Sequence, residues 1–246
     1  MKRLIEDFMV RCGTAHLRGQ RWHCNSPKRT VLLMHGAGTS SSKGFYSLQT
    51  YLNSHSVETI AFDFLGHGHT GGNLQHSSLE RRTEQALAVI HKLDLQEGLN
   101  IMGFSMGAHN ALHIASQISV ARLGLAIPAI YSEKAETLKF GPSFSSCIRQ
   151  YRSWEHSKCF SIIQHFKGKL LIISAEKDMI IPAEIPCKLI EYAQNCLAAE
   201  HHCIRQAGHD LETHFSEYPH SRHLALNSIL SCLLYTSDAA DERSSV

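Results

Sequence analysis

The 246-residue chain lacks the features that would tie it to a membrane, to nucleic acid or to an oxidising compartment. No apolar run approaches the ~20 residues needed to cross a bilayer, which excludes stable membrane insertion by a helix. Glu6 and Asp7 interrupt the basic start Met1-Lys2-Arg3 before an export signal can form. Lys and Arg never cluster beyond a pair, and 24 of them stand against 22 Asp and Glu, so the basic footprint of a nucleic-acid binder is missing. No two of the eight cysteines make a C-x-x-C pair. In a chain long enough to build its own core they read as reduced thiols, and a cytoplasmic location is expected.

What is present is a globular composition, 43% hydrophobic and 19% charged, with a formal net charge of +2. A small molecule is the expected partner. Nothing in the sequence speaks to oligomeric state.

Along the chain, residues 7–12 and 16–24 predict a hairpin around Gly13-Thr14. Four apolar runs without alternation follow, at 30–34, 57–63, 99–104 and 121–130, each stopping at a turn, as strands buried on both faces do. Helical patterns separate them, the clearest at 79–93, where Leu79, Ala86, Leu87, Ile90 and Leu93 share a face and Ser77 with Glu80 forms an expected capping box. A strand at 169–174, a helix at 183–196, a strand at 201–205 and one long helix at 212–230 complete the reading. Strands alternating with helices imply an α/β fold with a mainly parallel sheet, whose sites lie at the carboxyl ends of the strands. The 38 residues 131–168 break the rhythm and are expected to form a small lid over that end, with Phe140, Phe144, Tyr151, Trp154 and Phe160 turned to substrate.

Four motifs carry chemistry. Gly103-Phe104-Ser105-Met106-Gly107 follows a strand and precedes a helix, the context in which G-x-S-x-G presents a nucleophilic serine on a sharp turn. The strand at 169–174 leads to Glu176 and Asp178, and the turn position before Pro182 favours Asp178 as the acid. His209, in Ala207-Gly208-His209-Asp210, follows the next strand and is the residue type best suited to act as a general base, taking the serine proton and returning it to the leaving group. His35-Gly36-Ala37-Gly38 is a glycine-rich turn whose Ala37 N–H, with that of Met106, is expected to face a developing oxyanion. That turn does not continue as a phosphate-binding loop. No metal and no cofactor is expected: His67, His69, His201 and His202 lack the spacing of a metal-hydrolase site, and His109 and His113, on one helix face, read as packing residues.

Together with Asp63-Phe64-Leu65-Gly66-His67-Gly68, these motifs resemble the α/β-hydrolase superfamily, most closely its serine-aminopeptidase-like or monoacylglycerol-lipase-like branch, over residues 7–231. The resemblance implies an eight-stranded, mainly parallel sheet with helices on both faces and a Ser105-His209-Asp178 triad working through an acyl-enzyme. The expected reaction is hydrolysis of a carboxylic ester with a small or medium acyl group, Phe144 and Trp154 contacting it. Acyl thioesterase or peptidase activity, and a non-catalytic binding module on the same scaffold, are the alternatives. Only 73 residues separate Ser105 from Asp178, too few for an elaborate cap.

The segment Cys232-Leu233-Leu234-Tyr235-Thr236-Ser237-Asp238-Ala239-Ala240-Asp241-Glu242 matches, residue for residue, the conceptual translation of a transposase sequencing adapter. Residues 1–231 are therefore expected to form one domain and 232–246 a disordered appendage; a genuine acidic tail is the alternative.

Overall fold

Gly13, at φ +59°, closes the first turn, and the strands it joins, β1 (Leu4–Cys12) and β2 (Ala15–His23), pair antiparallel along their whole length. The computed structural model describes residues 4–95 and 98–234. From β3 (Arg29–Met34) onward, strands and helices alternate: α1 (Tyr46–Ser54), β4 (Val57–Phe62), α2 (Leu79–Lys92), β5 (Asn100–Phe104), α3 (Met106–Ala115) and β6 (Arg122–Ala126). After β6 come three helices, α4 (Glu133–Glu136), α5 (Pro142–Ile148) and α6 (Lys158–His165). The chain ends with β7 (Lys169–Ala175), α7 (Glu184–Tyr192), β8 (Ala198–Ile204), α8 (Leu211–Glu217) and α9 (Pro219–Leu234).

The eight strands form one sheet in the order β1-β2-β4-β3-β5-β6-β7-β8, parallel from β4 to β8. Every residue of β4, β6 and β7 is buried, which is why their sequences lack the alternation of a strand with one solvent face. The two faces separate cleanly. Leu32, Met34, Ile101, Leu123 and Ile172 pack with α2, α3, α6 and α7 in one core. Val31, Leu33, Leu171 and Ile173 pack with α1 and α9 in the other, as a period of two requires.

Three local expectations are corrected. The cap of α2 is Ser78, whose hydroxyl accepts from the Arg81 N–H at 3.1 Å, one residue after the expected Ser77. The expected single helix at 212–230 is two helices, because Pro219 disfavours helical backbone at Tyr218, which adopts φ −123° and ψ 76°. The 131–168 segment is not all lid. Neighbouring parallel strands need a crossover, and α6 provides it for β6 and β7, burying Cys159, Phe160 and Ile163 in the main core. Only α4 and α5 extend over the carboxyl edge of the sheet, where Ala135, Phe140 and Phe144 pack on Leu79 and Met106.

No helix among the described residues is long and apolar enough to cross a membrane. The last helix runs past Ser231: Cys232–Leu234 continue it, and Leu233 joins Ala225 and Ile229 in the core at a helical spacing of four. The Cys232 carbonyl accepts from Nε of Arg122 at 3.0 Å. Part of the segment expected to be an appendage thus packs, because its first leucines extend the apolar stripe; residues 235–246 lie outside the described residues. Leu233→Ala is expected to lower unfolding free energy by about 2–5 kcal/mol in urea denaturation, and truncation after Ser231 to cost a similar amount.

Candidate active site

Between the last residue of β5 and the first of α3 stands one residue, Ser105, which reverses the chain at φ 51° and ψ −118°. Such a backbone is costly for a residue with a side chain and persists only where the surroundings impose it. Here they do. A Cβ on Gly103 would overlap the Gly107 carbonyl, and one on Gly107 would overlap the Met34 carbonyl, so the glycines of G-x-S-x-G are there to let β5, α3 and β3 approach. The polar backbone of Ser105 is satisfied as well. Its N–H donates to the Ala126 carbonyl at 2.9 Å, and its own carbonyl accepts from Ala108 and Ala129.

The side chain so presented meets His209. Oγ of Ser105 lies 3.1 Å from Nε2 of His209, and Nδ1 of that ring lies 2.8 Å from Oδ2 of Asp178. The other Asp178 oxygen accepts the N–H groups of Ile180 and Ile181 at 2.8 and 2.9 Å, a turn that locks the carboxylate in place. Asp178 is nearly buried, its side chain 5% exposed, and His209 26% exposed, so the ring bridges a closed acid and an open cleft. Glu176, the competing carboxylate, turns away and accepts from the N–H and side chain of Gln206.

Beside Ser105 runs the His35–Gly38 turn, pressed so close that a Cβ on Gly36 would lie 3.1 Å from the Cβ of Ser105. A residue that sequence reasoning missed holds this turn. Arg82, on α2 and 1% exposed, donates to the carbonyls of His35 (2.5 Å) and Gly36 (3.2 Å) and to the Asn110 side chain (3.1 Å), with its guanidinium 3.8 Å above the Phe64 ring. Burial pushes it down to about 9, still charged at neutral pH. Because C=O and N–H point opposite ways across a trans peptide, drawing the Gly36 carbonyl toward Arg82 turns the Ala37 N–H away from it. Met106, as the first residue of α3, has no intrahelical carbonyl for its N–H. Arg82 is legible in hindsight as a charged residue on the apolar face of a helix, between Leu79 and Ala86.

His35 completes the turn as a neutral ring. Nδ1 donates to the Gly36 carbonyl at 2.9 Å and Nε2 accepts the Phe64 N–H at 3.2 Å.

These groups open into a cavity of about 780 Å³ lined by Ala37, Ser105, Met106 and His209, with apolar walls from Phe104, Ile127, Ile173 and others. Of the two expected substrate contacts, Phe144 lines it, joined by Tyr131 and Ile148. Trp154 does not. It is 6% exposed under the Arg152 guanidinium and against Phe160, in the packing of α6 rather than over the cleft. Tyr151, also expected there, points to solvent at 92% exposure. The far wall is built from Phe215, Leu226 and Ile229 of α8 and α9, which periodicity alone reads as ordinary core. Among the described residues, a cluster with metal-ligand chemistry lies outside the cavity wall: His109, His113 and Cys159.

Desolvation, then the Arg82 charge and the His67 ring beside it, hold His35 well below the ordinary histidine range. The unfolded chain takes up this proton near pH 6.5 and the folded chain does not, so stability is complete above that pH and declines as pH falls below it. His67, also lowered by burial and Arg82, acts in the same direction. His109 and His113, whose pKa values are raised, act in the opposite direction, so the difference between variants isolates His35. Across urea midpoints measured between pH 7.5 and 5.5, His35→Gln is expected to remove up to about 1.4 kcal/mol per pH unit of destabilisation on acidification relative to wild type. An unchanged slope in the variant would place the His35 proton elsewhere.

Comparisons with known proteins bear on the fold and the family. Residues 25–153 match the family model described as "Serine aminopeptidase, S33". No curated protein sequence matches the chain. Among solved structures, the Pyrococcus furiosus esterase Pf2001 superposes with a TM-score of 0.70 at 18% identity, over 95% of this chain and 94% of its own. The esterase EaEST from Exiguobacterium antarcticum gives 0.69 at 14% identity, over 91% and 100%. Est1E from Butyrivibrio proteoclasticus, solved with ferulic acid, gives 0.67 at 19% identity, over 91% and 99%. At these identities the likeness is one of fold. With more than half of its length matched by the family model, on an eight-stranded, mainly parallel sheet, the chain belongs to the serine aminopeptidase S33 family of α/β hydrolases.

Proposed function

We propose that this protein is a serine hydrolase that cleaves carboxylic esters of small or medium acyl groups through a covalent acyl-enzyme. The observation that carries the reading is the continuous relay from Asp178 through His209 to Ser105, at 2.8 and 3.1 Å, opening into an apolar cavity. In this reading Nε2 of His209 takes the Ser105 proton as Oγ attacks the carbonyl carbon. Asp178 keeps Nδ1 protonated, fixes the tautomer and stabilises the imidazolium. The N–H groups of Ala37 and Met106 receive the oxyanion, and the positive charge of Arg82, behind the turn that presents Ala37, favours that negative charge in a dry site. Collapse returns the proton to the departing alcohol. Water, deprotonated by the same histidine, then attacks the acyl carbon and frees the acid and Ser105.

Thioester and amide substrates would use the same atoms; an ester is favoured because the cavity wall is apolar beside the serine and offers an acyl chain more than it offers a peptide. Eight unpaired cysteines favour a reducing compartment, and we take the protein to work in the cytoplasm.

A fluorophosphonate probe is expected to label the wild type and not Ser105→Ala. Substituting Ser105 or His209 should lower kcat on p-nitrophenyl esters by roughly 10⁴–10⁶, and Asp178→Asn by less. Equal labelling of wild type and Ser105→Ala would remove the nucleophile assignment. The walls predict a second outcome across acyl lengths. Phe144→Ala should shift the preferred length, at about 1–3 kcal/mol of discrimination per methylene, whereas Trp154→Ala should lower stability and leave the preference where it was. A shift with Trp154→Ala alone would contradict this placement of the acyl chain.

A further inference from the structure

One turn along α3 from Ser105 lies a cluster that the proposed reaction does not use. His109 and His113 stand four residues apart on one helix face, with ring centroids 4.5 Å apart. Cys159, the second residue of α6, brings its sulfur to 3.3 Å from Nδ1 of His109, and both groups are fully buried. Oε1 of Glu136, the last residue of α4, lies 2.9 Å from Nε2 of His109 and 3.0 Å from Nε2 of His113. The second of these contacts is not a hydrogen bond: Nε2 of His113 is buried with no hydrogen-bond partner.

We infer that His109, His113 and Cys159 form a binding site for a zinc-like divalent cation, with Glu136 as the carboxylate that orients the His109 ring. One ligand atom from each of the three residues falls within 4.8 Å of the others. A tetrahedral zinc centre brings sulfur and nitrogen ligands to roughly 3.3–3.6 Å of one another, so the Cys159–His109 pair is already at that spacing and the rest of the cluster must draw in by up to about 1.5 Å. The donor set, one thiolate and two imidazoles, is the kind that selects borderline-soft metals over calcium or magnesium. The placement of Glu136 follows the pattern of metal-bound histidine, in which one ring nitrogen takes the metal while a carboxylate holds the N–H of the other. His109 has that arrangement, its Nδ1 at the sulfur and its Nε2 at the carboxylate.

The cluster has a way in and a consequence. The side chains of His113 and Glu136 are 15% and 16% exposed, so a cation reaches the ligands from that side while Cys159 and His109 close the other. Its ligands come from α3 and α6, with α4 as support, which are the helix that Ser105 begins and two of the helices inserted after β6. Tyr131, in the cavity wall, packs edge-on against the His109 ring at 5.2 Å. A bound metal would therefore clamp the inserted helices to the helix of the nucleophile and stiffen one wall of the cavity.

The test uses the full-length protein, stripped with chelator and titrated with Co(II), then Zn(II). The site predicts one equivalent of Co(II) with a sulfur-to-cobalt band and the visible bands of tetrahedral cobalt, displaced by Zn(II), and a melting temperature raised by Zn(II). Cys159→Ser should abolish the sulfur band, and Glu136→Gln should weaken Zn(II) affinity about 10- to 100-fold. Because Cys159 is buried and its variant could misfold, His113→Asn, at the exposed edge, gives an independent arm: the tetrahedral cobalt bands should be lost from a protein with unchanged far-ultraviolet circular dichroism. Absence of the sulfur band in folded wild type, or its persistence in Cys159→Ser, would overturn the proposal and leave the cluster as a hydrogen-bonded packing device.

Discussion

Everything around the site depends on the backbone of Ser105 being held at positive φ. A serine in open solvent would relax out of that conformation; here two glycines allow three backbones to close on it, and its N–H and carbonyl are bonded to Ala126, Ala108 and Ala129. The strain is thus sustained by the packing of the central parallel strands. That packing in turn derives from the buried apolar residues of β3, β5 and β6, among them Leu32, Leu33, Met34, Ile101, Met102, Leu123 and Leu125.

A second constraint runs from α2. Arg82 is a buried cation bonded to carbonyl oxygens and an amide oxygen and stacked over Phe64, an arrangement that costs desolvation but turns one particular peptide plane. Neutral His35 donates to the same Gly36 carbonyl, so the orientation of the Ala37 N–H is set by two donors on one oxygen. The turn beside Ser105 is therefore held by buried donors whose desolvation is offset by the packing of the core.

The mainly parallel sheet, its alternation of strands and helices, and the meeting of Ser105, His209 and Asp178 were legible because each of these residues follows a strand end where chain order and residue type coincide. Legibility failed where the decisive partner is distant in sequence. Arg82 sits in an Arg-Arg pair, which reads as a solvated face until α2 is packed against the His35 turn. Trp154 and Phe144 look alike as aromatics in one long insertion, and only the need for a crossover between parallel β6 and β7 separates the buried one from the one in the cavity. His109 and Cys159 lie 50 residues apart and meet only when α6 packs on α3. The break at Tyr218 was signalled by Pro219 alone, which the apolar periodicity on both sides masked.

The central claim is covalent chemistry at Ser105, and the most direct measurement is rapid-quench mass spectrometry during turnover of a p-nitrophenyl ester. The account predicts a burst of one equivalent of nitrophenol per protein, with a matching acyl mass on the single peptide that contains Ser105, appearing and decaying at rates consistent with turnover. Steady turnover with no acyl-protein at any quench time, or an acyl group mapped to a residue other than Ser105, would contradict it.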